Sequence, residues 1–223
     1  MIRFVFLLCA ALGLTDEQSS FAQTRPSEDA LTKTIKFQSG YYDQDDNPIA
    51  GDSLPREVSL RLSFIAGNLS GKVTTPSISS ITVHVGETTT LDLANIRATA
   101  EQSAAVLTRE ATEAGLVTRP RETRIARLAT TVSHPETKKG VGLTVFRRLA
   151  THESLIMVYF DRPCHLSGVV HARGAEVKYD VNVDKAGLRL LKIVKESSTR
   201  YGVTGSKTPE DMSLRIVPRI GTP

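Results

Sequence analysis

The stretch VSLRLSFI, residues 58–65, alternates apolar and polar side chains over most of its length. If this segment is extended, its apolar side chains share one face, because successive side chains of a strand point to opposite faces. Similar short runs recur along the chain, separated by Gly, Pro and Asn residues. Short strands between such turns are typical of sandwiches and barrels. The sequence therefore predicts an all-β, sandwich-like fold, immunoglobulin-like or related.

The other predicted strands have the same composition of β-branched and apolar residues. One of them, residues 155–160, is apolar at every position, which predicts a central strand buried on both faces. The predicted strands cover residues 34–37, 58–65, 78–85, 124–132, 143–149, 154–160, 166–172, 176–183, 188–195 and 212–217.

The period changes between residues 92 and 114, where apolar residues recur at steps of three and four. This spacing places them on one face of a helix, so we expect one central α-helix around residues 92–114. Thr90 or Asp92 would cap its beginning, and Gly115 stands where a glycine ends helices. Because the apolar stripe is mostly alanine, the helix should lie close to a sheet face. Alternatively, residues 88–93 still belong to a strand and the helix begins later.

Residues 1–22 have the pattern of a cleavable signal peptide. Arg3 precedes the apolar residues 4–14, and Ser20-Phe21-Ala22 forms a small-x-small cleavage site. Eleven apolar residues fall short of the roughly 20 that span a membrane, and no later stretch is longer. We therefore expect an exported protein, periplasmic or extracellular, without a transmembrane segment in the mature chain. Cys164 is then the single remaining cysteine, and we expect it to be a core residue.

Charge divides the mature chain into two segments. Residues 23–118, an acidic β-rich segment ending in the helix, contain 8 Lys and Arg against 12 Asp and Glu, whereas the basic residues 119–223 contain 19 against 10. Whether the two segments form one domain or two stays open. The basic segment suggests attraction to an anionic envelope polymer or protein partner, or internal neutralisation of the acidic segment. The candidate anion-binding residues are Arg119, Arg121, Arg124 and Arg127.

Nucleic acid is not an expected partner, because it would require aromatic residues interleaved with the basic ones. Phe146 alone meets that requirement here.

The densest group of potential oxygen ligands lies between residues 43 and 52. Its first residues match an EF-hand loop, but Pro48 replaces the required glycine and Leu54 the bidentate glutamate, which excludes that motif. Carboxylates at irregular spacing can still bind a hard cation, so we consider a Ca²⁺ site, with a simple acidic turn as the alternative. No other cofactor is expected. The candidate calcium ligands are Asp43, Asp45, Asp46 and Asp52.

The same stretch carries the pattern D-x-x-x-N-P-I-x-G, formed by Asp43, Asn47, Pro48, Ile49 and Gly51. This pattern resembles the turn between early strands in bacterial immunoglobulin-like surface domains. The resemblance implies a sandwich and an extracellular binding role.

A second candidate metal or catalytic site consists of Asp161, His165 and His171, since the two histidines would share a face of a strand. Cys164 and His165 are adjacent and would point to opposite faces, so they cannot form a catalytic pair. The sequence lacks G-x-S-x-G, the phosphate-binding P-loop and G-x-G-x-x-G. We therefore interpret the chain as an exported, non-enzymatic binding or structural protein, the alternative being a secreted hydrolase or metal-dependent enzyme.

Overall fold

The structure is a computed structural model that describes residues 31, 33–49, 54–69, 79–172, 174–206 and 211–218. The expected signal peptide and Asp52 lie outside the described residues.

Most strands in the described part of the chain are formed by segments in which apolar and polar side chains alternate. In chain order, the elements are β1 (Thr34–Tyr41), β2 (Glu57–Ala66), β3 (Ser79–His84), β4 (Thr88–Asp92), α1 (Leu93–Ser103), β5 (Ala105–Val106), α2 (Arg109–Glu113), β6 (Val117–Arg119), β7 (Arg124–Ser133), β8 (Gly140–Arg148), β9 (Ser154–Phe160), β10 (Cys164–Ala172), β11 (Ala175–Val183), β12 (Gly187–Lys195), β13 (Arg200–Ser206) and β14 (Met212–Pro218).

These strands form one open mixed sheet. Its order is β4-β1-β14-β8-β7-β9-β12-β13-β11-β10-β6, while β2, which carries β3, and β5 pair with β7 outside this path. The pairs β1–β14 and β11–β13 are parallel, and the other pairs are antiparallel. Because β14 lies between β1 and β8, the end of the basic segment pairs directly with the start of the acidic one.

Two hydrophobic cores lie on opposite faces of β9. Alternate residues of this strand enter different cores: Leu155 and Met157 belong to the first, and Val158 and Phe160 belong to the second. All seven residues of β9 are buried. The predictions of a strand buried on both faces and of a sandwich-like all-β fold are therefore confirmed.

The predicted central helix is divided in two. Asp92 caps α1 by accepting a hydrogen bond from Ala94 N at 2.9 Å, and β4 ends at this residue, as the alternative interpretation required. At Ala104 the backbone becomes extended, with ψ 136°, because β5 pairs with β7. Thr108 then caps the short helix α2. Tertiary pairing of two residues has thus interrupted a continuous helical pattern.

The sequence did not predict β6 or β13. The segment RYGVTGS of β13 contains the glycine and serine residues that indicate turns. It is extended because it pairs with β12 on one side and β11 on the other. In the described part of the chain, no helix has the length and apolar character needed to cross a membrane.

Candidate anion-binding site

Arg147 on β8 and Arg215 on β14 lie on adjacent strands and are named here the arginine pair. In the register of these strands, Arg147 is opposite Ser213 and Arg215 is opposite Val145. Their neighbours Phe146 and Leu214 enter the first core. The alternation of a strand therefore places the arginine pair on the other face of the sheet.

The acidic turn, residues 43–47, covers this outer face. Asp43 N donates to Asn47 O at 2.9 Å, and Ile49 N donates to Tyr41 O at 2.9 Å, so the chain folds back after β1. The Asp43 carboxylate also accepts hydrogen bonds from the backbone and side chain of Asn47, at 2.8 and 3.1 Å. These bonds fix the turn that places Asp46 over β14 and β8.

Asp46 bridges the arginine pair. Arg147 Nη1 donates to Asp46 Oδ2 at 2.7 Å, and Arg215 Nη1 contacts Asp46 Oδ1. The side chains of Arg147, Arg215 and Asp46 are 4%, 3% and 17% exposed. Ion pairs this far from solvent are screened little, so each charge strongly affects the others.

His152, in the loop between β8 and β9, completes one side of the site. Its carbonyl accepts a hydrogen bond from Arg147 Nη1 at 3.2 Å, and its Nδ1 lies 2.9 Å from Arg215 Nη2. Because arginine has donors and no acceptor, His152 Nδ1 accepts this hydrogen bond.

Tyr42 covers Arg215 from the other side. The Arg215 guanidinium carbon lies 4.3 Å from the centre of the Tyr42 ring, a cation–π contact. Gly40 makes this position available, since a Cβ there would approach Tyr42 Cε2 to 2.9 Å. Glycine is thus required on β1 for a close approach of the ring.

The site has an excess of positive charge. Two guanidiniums share one carboxylate, and the Nε atoms of Arg147 and Arg215 are buried without a hydrogen-bond partner among the described residues. Burial lowers the pKa of both arginines, since it disfavours the charged form. The arrangement can therefore accept further negative charge.

Two residues of the site have a backbone conformation that is rare for residues with side chains. The φ angle is 74° at Asp46 and 54° at His152. Asp and His tolerate this region better than most residues, yet it costs free energy and often occurs at functional sites. Both residues contact the arginine pair, so the strain is concentrated where the charges meet.

The candidate calcium ligands have separate roles in the structure. The Asn47 hydrogen bonds keep the pKa of Asp43 below its usual value, Asp45 is exposed, and Asp46 binds the arginine pair. Asp52 lies outside the described residues. No group of three or more His, Cys, Asp or Glu side chains within the described ranges is placed to hold a metal ion. The calcium site stays a prediction.

Asp161, His165 and His171 make separate contacts. Asp161 accepts hydrogen bonds from the backbone of Arg124 at 2.9 Å and from Arg162. His165 Nε2 lies 2.8 Å from Asp180 Oδ1. His171 is six residues further along β10, or about 20 Å at the rise of a strand, so the two histidines do not converge.

The candidate arginines of residues 119–127 divide between surface and interior. Arg119 and Arg121 are exposed, and Arg124 is exposed with its Nε donating to Ala104 O at 2.7 Å. Arg127 is half-buried and donates to Leu69 O at 2.5 Å, and burial lowers its pKa. Arg127 is therefore directed toward the protein interior. Cys164 is buried in the second core.

Sequence reasoning did not identify Arg215 or His152. Arg215 follows a regular alternation with Leu214 and Ile216, which ordinarily indicates a solvent-facing position. The acidic turn covers it across 169 residues of sequence. Asp46, the partner of Arg147, was predicted to be a calcium ligand.

No family model, curated protein or solved structure matches this chain in comparisons with known proteins. Its function is therefore inferred from its residues and their geometry.

Proposed function

We propose that this chain is an exported binding protein whose partner is an anionic polymer of the cell envelope. Residues 1–22 support export, since they combine a basic start, an apolar run and a small-x-small site. The charge of the second segment supports an anionic partner. The surface that we propose for binding is the basic end, defined as Arg119, Arg121, Arg124 and Lys185.

Strand registers bring the residues of the basic end to the same end of the strands. Arg119, at the end of β6, is opposite His165 near the start of β10, which is in turn opposite Asn182 near the end of β11. Lys185 lies two residues after the end of β11. Arg124 begins β7, whose next residue, Ile125, is opposite Phe160 at the end of β9. The start of β12 pairs with the end of β9 and with the end of β13, which is parallel to β11. The loops that carry the basic end therefore lie at the same end of the sheet.

The observation that carries the proposal is that acidic and basic side chains at this end of the strands differ in how many of them form ion pairs. The nearby acidic residues are already paired: Glu122 and Asp161 with Arg162, and Asp184 with Arg189. In contrast, Arg119, Arg121 and Lys185 are exposed and form no ion pair among the described residues. Acidic charge is thus neutralised internally, while positive charge remains available to a partner.

Binding to linear polyphosphate, measured by calorimetry over a range of salt concentrations, tests the proposal. We expect the Arg119→Gln/Arg121→Gln variant to bind more weakly. The slope of log affinity against log salt should fall by about one for each lost phosphate contact, as for other linear polyanions.

The matched control is Arg61→Gln/Lys139→Gln. It removes two positive charges from exposed residues, and both lie near the other end of β7, where Arg61 is opposite Thr131. Equal losses in the two variants would indicate a general effect of net charge and would overturn the assignment of the basic end. Affinity independent of salt would overturn the electrostatic proposal itself.

A further inference from the structure

The arginine pair has an acidic partner from its own chain. Among the described residues, Asp46 is the acidic side chain that contacts both guanidiniums. Its two carboxylate oxygens are divided between them, Oδ2 to Arg147 and Oδ1 to Arg215. One oxyanion group therefore bridges two buried cations.

We propose that the arginine pair binds an oxyanion group, a carboxylate or a phosphate, of an external ligand, and that the Asp46 carboxylate competes for the same place. This site lies on the outer face of β8 and β14, away from the basic end, and does not depend on the proposed function. The ligand class follows from the donors, because planar guanidiniums bind carboxylate and phosphate oxygens in the same forked geometry.

The charge of the site favours such a ligand. Arg147 and Arg215 bring two positive charges against the single negative charge of Asp46. Their Nε atoms are buried without partners in the described part of the chain. Buried donors without acceptors cost free energy, and charged ones cost more. The oxygens of an incoming carboxylate or phosphate would supply acceptors for these donors, and its charge would supply the missing negative charge.

The residues of the acidic turn belong to neither hydrophobic core. Within the acidic turn, Gln44, Asp45 and Asn47 are exposed. The positive φ at Asp46 costs free energy. Displacing the turn would release this strain, so the strain favours displacement. The ligand would then replace the carboxylate contacts that Asp46 gives up. The turn thus acts as a built-in competitor whose removal should strengthen binding.

The test compares Asp46→Asn with Asp45→Asn. Both variants lose one negative charge from the same turn, but Asp45 is exposed and forms no ion pair in the described structure. Asparagine also tolerates the positive φ of position 46. Titration calorimetry with inorganic phosphate and with succinate, at constant ionic strength, measures the affinity of each variant.

We expect Asp46→Asn to bind one of these probes about tenfold more tightly than Asp45→Asn, which corresponds to roughly 1.4 kcal/mol. The probe that gains affinity distinguishes a phosphate from a carboxylate ligand. Equal affinities of the two variants for both probes would overturn the proposal.

A second measurement covers the case in which Asp46→Asn does not fold. The arginine Nε–H signals of the unmodified protein are followed by NMR during the same titrations. The signals of Arg147 and Arg215 should shift, while that of Arg189, a buried arginine bonded to Asp184, should not. Unchanged signals of the arginine pair at saturating probe would overturn the inference. The Arg119→Gln/Arg121→Gln variant should show the same shifts, which separates this site from the basic end.

Discussion

Asp46→Asn should strongly reduce the stability of the protein. The substitution keeps the size of the side chain but leaves the charges of Arg147 and Arg215 without a counterion, and both arginines are less than 5% exposed. Removing one partner of a buried ion pair typically costs 3–5 kcal/mol. Because Asp46 is 17% exposed and asparagine retains one acceptor oxygen, we expect the lower end, about 3 kcal/mol. For a domain of this size, that corresponds to a decrease in Tm of roughly 6–12 °C.

Urea unfolding followed by circular dichroism measures this loss, with Asp45→Asn as the control. The control should change the free energy of unfolding by less than about 0.5 kcal/mol, as is usual for surface substitutions. A loss below about 1 kcal/mol for Asp46→Asn would match a solvated surface pair and would refute the buried charge cluster. Adding Arg147→Met and Arg215→Met to Asp46→Asn should restore stability, since no uncompensated charge then remains.

Two further predictions concern the neighbourhood of the site. Gly40→Ala should lower the free energy of unfolding by about 1–2 kcal/mol, because the new Cβ would displace Tyr42. Gly140→Ala should not lower it, because the nearest atom outside its chain neighbours is 4.0 Å from its new Cβ. Urea unfolding of both variants measures the difference. Burial raises the pKa of Tyr41, whose hydroxyl donates to Pro55 O at 3.0 Å, to about 12. The raised pKa adds to the free energy of unfolding below pH 10. This contribution should be lost as the pH rises toward 12, by up to about 1.4 kcal/mol per pH unit. An equally steep loss in Tyr41→Phe, measured by urea unfolding between pH 9 and 11, would contradict that origin.

The sequence predicted elements whose structure depends on local alternation. The strand at residues 58–65 became β2 with one additional residue at each end, and residues 154–160 became β9 without change. In both, the side-chain period of the strand already separates the faces. For residues 43–52 the sequence also offered an acidic turn, as the alternative to a calcium site, because Asp and Asn side chains stabilise turns by hydrogen bonds to the nearby backbone.

Elements that depend on distant partners were not predictable in this way. β13 has the composition of a turn and is extended because of its two neighbouring strands. The predicted helix ends at Ser103 because Ala105 and Val106 pair with β7. In both cases, tertiary hydrogen bonds outweighed the local preference, which is worth only tenths of a kcal/mol per residue.

The sequence by itself determined that Arg147 and Arg215 lie on the face opposite to Phe146 and Leu214, because alternation is a property of the extended backbone. Only the tertiary structure decided that this face is covered. The parallel pairing of β1 with β14 brings the acidic turn over Arg147 and Arg215. These two arginines follow Asp46 in the sequence by 101 and 169 positions. That pairing converts three charges that appear solvent-exposed in the sequence into a buried cluster, because burial depends on which strands are neighbours.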